Sequence, residues 1–147
     1  MSKPSLSPIH PVIENTKHLI ELIAKHMPAA LFCKDYSSGV GKFVLWNTAA
    51  EKLWGLRSAR VVGRTDYELF PKDQADYFKE KDLQVIQSNQ PLYIESERVD
   101  SPVIGQRTVR TWKIPVKLGD DHLPFLLGIS WDITPALPLK KKRSDSK

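Results

Sequence analysis

Cysteine is nearly absent: Cys33 is the only one in 147 residues, so no disulfide can form within the chain. That composition suits a reducing compartment, and a cytoplasmic setting is the expectation. Long apolar runs are missing as well. No stretch of eighteen apolar residues exists to span a membrane, and the start has no continuous apolar segment of the secretory kind. Histidine is sparse. His10, His18, His26 and His122 each lack a second ligand at metal-binding spacing. There is no Gly-x-Ser-x-Gly, no paired-carboxylate motif and no nucleophile with a base close in sequence, so no catalytic activity is expected. The run Ser38-Gly-Val-Gly-Lys42 is not a phosphate loop, because Tyr36 and Phe43 stand where that pattern needs Gly and Ser or Thr. It reads as a glycine turn.

What the chain does have is a core and a charged end. Hydrophobic residues make up 41%, enough for one domain of this length without staples. The net charge is +5, but Lys140, Lys141, Lys142, Arg143 and Lys147 against Asp145 supply +4 of it. The remaining body is close to neutral and offers no basic face, so nucleic acid is an unlikely partner outside the tail. The tail reads as a solvated end that has the charge to touch RNA, an anionic membrane or an acidic protein.

Three prolines make residues 1–14 loose or extended. Asn15 or Thr16 caps an amphipathic helix over 15–27, ended by Pro28. Two short strands follow, Ala30 to Lys34 and Phe43 to Trp46, joined by a glycine-rich link as a hairpin. Asn47 caps a two-turn helix closed by Gly55, and short turns run over 58–62 and 65–69. Residues 72–88 are helical, with Ala75, Phe78, Val85 and Ile86 on one face and Asp82 in the middle of it. Three strands, 90–99, 106–116 and 123–133, complete the order. Strands split by a block of helices predict an α+β domain over 28–134: a five-stranded antiparallel sheet with short helices and one long helix on one face. Phe125, Leu127, Ile129 and Trp131 alternate with Leu126 and Gly128, so both sheet faces look covered. The N-terminal helix, on or near the second face, or a second copy of the chain would cover it. Residues 135–147 form a proline-containing basic tail.

Three segments resemble a PAS domain: Asn47-Thr-Ala-Ala-Glu-Lys-Leu-Trp-Gly55, Gly63-Arg-Thr-Asp-Tyr-Glu-Leu-Phe-Pro71 and Gly128-Ile-Ser-Trp-Asp-Ile-Thr134. The likeness covers roughly residues 17 to 134, most of the chain. It implies a sensory module with a pocket between sheet and helices for haem, flavin, a small metabolite or nothing, which passes a shape change to a signalling partner, often as a homodimer. Covalent flavin is not expected, because Thr65 to Pro71 has no cysteine; nor is His-ligated haem, because 72–88 has no histidine. Non-covalent flavin stays open. The candidate pocket residues are Leu31, Cys33, Trp46, Leu53, Leu69, Phe78, Asp82, Arg110, Trp112, Ile114 and Leu127. Asp132 and Thr134 resemble the family's signal exit. Asp82, a carboxylate on an apolar stripe, needs Arg110, Lys113 or a row of donors. The leading expectation is a sensor or interaction module that binds a small molecule or protein partner. The alternatives are a flavin-dependent redox sensor or small enzyme using the same cavity, and a ligand-free adaptor that dimerises.

Overall fold

A computed structural model describes residues 15–135. The expected loose start, 1–14, and the basic tail from 136 on lie outside the described residues. The chain runs α1 (Thr16–His26), β1 (Ala30–Asp35), β2 (Lys42–Trp46), α2 (Thr48–Trp54), α3 (Ser58–Val61), α4 (Asp66–Leu69), α5 (Lys72–Ser88), β3 (Leu92–Ser101), β4 (Gly105–Leu118) and β5 (Leu123–Asp132).

The strands form one antiparallel sheet in the order β2-β1-β5-β4-β3. The closing strand therefore inserts between the first strand and the second hairpin. Local chemistry sets the element ends. Asn15 Oδ1 accepts from His18 N–H at the start of α1. Gly55 ends α2 at φ 70, a left-handed conformation that glycine adopts without a Cβ penalty. Glu68 reaches back to the Thr65 N–H at 2.9 Å, fixing the first turn of α4.

Asn47 does more than cap. Its Oδ1 accepts from Ala50 N–H at the start of α2 and from Leu31 N–H on β1, both at 2.9 Å. Its Nδ2 donates to the carbonyls of Ala24 at 2.8 Å and Ala29 at 3.0 Å. One buried amide thus joins the end of α1, the start of β1 and the start of α2.

Helices α2 to α5 cover one face of the sheet, here the inner face, and Ala75, Phe78, Asp82 and Val85 of α5 are buried against it. Along the strands, register puts Ala30, Ser130 and Thr111 in one inward row and Phe32, Gly128 and Lys113 in the next. Gly128 leaves room for the tip of the Phe32 ring; a Cβ would stand about 2.1 Å from its Cζ. The opposite, outer face carries Leu31, Ile129 and Trp112 in one row and Cys33, Leu127 and Ile114 in another. The described residues leave much of it open: Leu31 is buried, but Tyr93, Trp112 and Trp131 are each about two-fifths exposed. Helix α1 packs beside α2, with Ala24 buried, and leaves Ile20, Leu22 and Ile23 exposed.

Candidate functional site

A small cavity lies between the inner face and the helices. Six aromatic rings wall it: Phe32, Phe43, Trp46, Trp54, Phe70 and Phe78. They pack edge-to-face or tilted, as in Phe43–Trp46 at 5.2 Å, Trp46–Trp54 at 5.1 Å and Phe70–Phe78 at 5.3 Å. Lys34, Asp66, Glu97, Lys113 and Ser130 supply its polar edge. The rings nearly fill it. The space left, about 20 Å³ for the centre of a water-sized molecule, takes about one water.

Charged side chains tie the helices to the sheet along that edge. Lys34 Nζ on β1 donates to Asp66 Oδ2 of α4 at 2.6 Å and to Asp82 Oδ2 of α5 at 2.7 Å. Lys113 Nζ on β4 donates to Asp82 Oδ1 at 2.8 Å, and the Tyr36 hydroxyl donates to Asp82 Oδ2 at 2.6 Å. All four charged groups are buried. Desolvating four charges is unfavourable unless they are mutually paired, and here two ammoniums meet two carboxylates. Both ammoniums also sit over ring faces, with Lys34 Nζ 5.1 Å from the Phe43 centroid and Lys113 Nζ 5.8 Å from that of Phe78.

The protonation directions follow from this geometry. Burial by itself would raise the Asp82 carboxyl, but the Lys113 and Lys34 ammoniums outweigh it and hold Asp82 at about 2. Burial by itself would lower Lys34; Asp66 and Asp82 outweigh it and keep that ammonium protonated well above its ordinary range. Asp66 has Lys34 alone as its hydrogen-bonded cation, and burial prevails, raising it. The Tyr36 hydroxyl is pushed up by burial and then by the Asp82 charge, so it stays a donor.

Two polar atoms on the wall have no hydrogen-bond partner among the described residues: Trp54 Nε1 and Glu97 Oε2, both buried. Trp46 contrasts with Trp54, since its Nε1 donates to the Leu56 carbonyl at 2.9 Å.

The structure brings some of the sequence candidates together and separates others. Trp46 and Phe78 are on the cavity wall, and Asp82 is at its edge through Lys34 and Lys113. Of the two partners expected for Asp82, Lys113 meets it, whereas Arg110 stands on the outer face. Leu53 and Leu69 pack in the core without lining the cavity. Leu31, Cys33, Arg110, Trp112, Ile114 and Leu127 stand on the outer face instead, because the register is one residue away from the apolar alternation used to choose them. Lys34, Asp66 and Glu97 were not among the candidates, whereas Trp54, one of four tryptophans the sequence offers as a pocket wall, does line the cavity. The free thiol of Cys33 is half-buried, and burial and then Asp35 push it up to about 11.

At the sheet's exit, the side chains of Asp132 and Thr134 close the last strand onto β4. Thr134 Oγ1 accepts from Thr108 N–H at 2.8 Å, and Asp132 Oδ1 accepts from Thr134 N–H at 2.9 Å. Arg107 reaches Asp132 Oδ2 at 3.5 Å.

A flavin or haem does not fit the cavity with its rings in place, and the lining holds neither histidine nor cysteine to ligate or attach one. Among the described residues, no group of three or more His, Cys, Asp or Glu side chains is placed to hold a metal ion, and no helix is long and apolar enough to cross a membrane.

A five-stranded antiparallel sheet with β1 between β2 and β5, and helices on one face around a small cavity, defines one class of α+β domain. The family model described as PAS fold matches residues 24–136, and the chain belongs to that family, whose members are sensory and signalling modules. Solved structures agree. The PAS domain of a Colwellia psychrerythraea protein superposes with a TM-score of 0.66 at 15% identity, covering 82% of this chain and 98% of that one. The PAS domain of Bordetella pertussis BvgS gives 0.64 at 23% identity, over 90% and 96%. VqmA, solved bound to DPO, gives 0.65 at 26% identity, over 80% of this chain and 57% of VqmA. A curated relative, the uncharacterized protein y4lL of Sinorhizobium fredii, is 24% identical over 115 residues. That match spans 78% of this chain and 14% of the relative's length.

Proposed function

We propose that the chain is a sensor module that binds a small molecule in the inner cavity and reports it as a change in how the helices sit on the sheet. The observation that carries this reading is the buried quartet of Lys34, Asp66, Asp82 and Lys113. It sits at the edge of the cavity and fastens both α4 and α5 to the central strands. Because the rings nearly fill the cavity, a ligand enters only if side chains move. Moving them disturbs groups whose partners lie on both layers. Binding and shape are therefore linked, and a ligand that prefers the opened arrangement shifts the population toward it. The exposed outer-face aromatics Tyr93, Trp112 and Trp131 supply the surface for a signalling partner or second copy. The role is binding rather than catalysis.

The test is a thermal-shift screen of small metabolites, started with DPO because VqmA shares 26% identity with this chain. It is paired with native mass spectrometry and visible absorption of freshly purified protein. A ligand that raises the melting temperature with concentration, and no longer does so once Phe78→Trp fills the cavity, supports the reading. A screen without a shift, on colourless protein with no adduct, refutes it in favour of a ligand-free adaptor.

A further inference from the structure

Resting on that reading of the cavity, we propose that its ligand is a small planar heterocycle that presents a hydrogen-bond acceptor to Trp54 Nε1 and an N–H donor to Glu97 Oε2. The inward aim of Glu97 is a product of backbone irregularity. Ile94 pairs with Thr111, which faces the helices. Regular alternation from Ile94 would send Ser96 inward and Glu97 outward. The pairing slips between Ile94 and Glu97, so that Glu97 comes opposite Val109, on the inner side. Bulges of this kind re-aim single side chains beside binding sites. The result is a carboxylate only 8% exposed, on an aromatic wall, with one oxygen unmet. Trp54 shows the complementary lack: an indole 4% exposed whose N–H has no acceptor among the described residues. Buried polar atoms are nearly always hydrogen-bonded, so an orphan donor and an orphan acceptor in one cavity describe the partner they lack.

The walls supply the rest of the ligand's outline. They are ring faces, which favour a flat molecule that stacks. The paired charges at the edge cancel, two ammoniums against two carboxylates engaged with one another, and Glu97 adds one negative charge on the wall, which calls for an N–H donor and against an anionic ligand. A ligand with both edges satisfies both orphans at once, whereas a hydrocarbon ring of the same size leaves them buried and unmet.

The full chain is titrated with 2-pyridone, which has both edges; with N-methyl-2-pyridone, which keeps the acceptor and blocks the donor; and with toluene, which has neither. Thermal shift and tryptophan fluorescence are read together. We expect 2-pyridone to bind roughly tenfold or more tightly than the other two, the factor set by one unmet buried hydrogen bond. Glu97→Leu should remove the preference for 2-pyridone over N-methyl-2-pyridone, and Trp54→Phe should reduce the preference of both pyridones over toluene, each leaving toluene binding in place. If Glu97→Leu does not fold, Trp54→Phe, which keeps the ring, carries the test. Equal binding of all three probes would overturn the ligand class and leave the cavity as a sensory site. No probe binding, with a single ordered water bridging the two atoms in a crystal structure, would overturn both.

Discussion

Replacing Asp82 by asparagine tests the physics of the site most directly. The side chain keeps its shape but loses its charge, at a position fully buried and within 2.8 Å of three donors. Among the described residues Lys113 is then left with no paired carboxylate, and Lys34 keeps only Asp66. Breaking a buried ion pair by removing one partner costs about 3–5 kcal/mol, and the residual amide oxygen brings the expectation to the low end, about 3 kcal/mol. A second route agrees. Holding the carboxyl at about 2 rather than at its ordinary 3.8 corresponds to about 2–3 kcal/mol at neutral pH. The sign follows from linkage. A carboxyl lowered in the folded state contributes fully above its unfolded value and loses that contribution as pH falls from about 4 to about 2. Asp66 acts in the opposite direction: its folded value is raised, so its protonation on acidification favours the folded state. Urea unfolding at neutral pH should therefore show wild type about 3 kcal/mol more stable than Asp82→Asn. That gap should shrink below pH 4 and nearly close by pH 2. A gap of constant size down to pH 2, or one below about 1 kcal/mol at pH 7, would refute the claim that paired charge holds the layers together.

Other expectations follow from single contacts. Asn47→Ala removes four buried hydrogen bonds and should lower stability by about 2–4 kcal/mol in urea unfolding; a loss under about 0.5 kcal/mol would contradict the role given to that amide. Gly128→Ala drives a methyl into the Phe32 ring and should lower stability by about 1–3 kcal/mol, with a changed near-ultraviolet spectrum as the ring shifts. Cys33, half-buried and pushed up to about 11, should react with a thiol reagent at pH 8 much more slowly than free cysteine; labelling at the free rate would show the strand to be open. Trp131→Glu should leave the fold intact and change any concentration-dependent association seen by light scattering, because the side chain is 40% exposed on the outer face. Association identical to wild type would remove that residue from the output surface.

The fold was legible in the sequence because its punctuation is local. Pro28, Asn47, Gly55 and the Leu69-Phe70-Pro71 step mark element ends through their own backbone chemistry, and the long helix keeps one buried face over residues 72–88. The facing of the strands was not legible in the same way. In β4 and β5 the longest apolar alternation, Trp112 with Ile114 and Leu127 with Ile129, belongs to the outer face. The inner face carries Thr111, Lys113, Gly128 and Ser130, which look solvent-facing until their partners are known. Asp82 did signal a buried charge, since a carboxylate in an apolar stripe must be met. Its partner Lys34 lies 48 residues away, and Asp66 lies 32 residues from that lysine, so sequence spacing gives no hint of either contact. Lys34 did leave one trace: it follows Ala30-Leu-Phe-Cys33 in a short central strand, where a solvated lysine is out of place. Glu97 left none, because a slip in strand pairing cannot be read from residue types.

The four-way grip of Asn47 has a mechanical corollary. The helix leading into the domain, the first strand and the next helix meet at one planar amide, so none can tilt without straining bonds to the other two. Torque applied to α1 arrives at the strand that holds Lys34 and at the helix that holds Trp54, without crossing the hydrophobic centre. The joint therefore couples any tilt of the leading helix to the strand and the helix that carry part of the cavity wall.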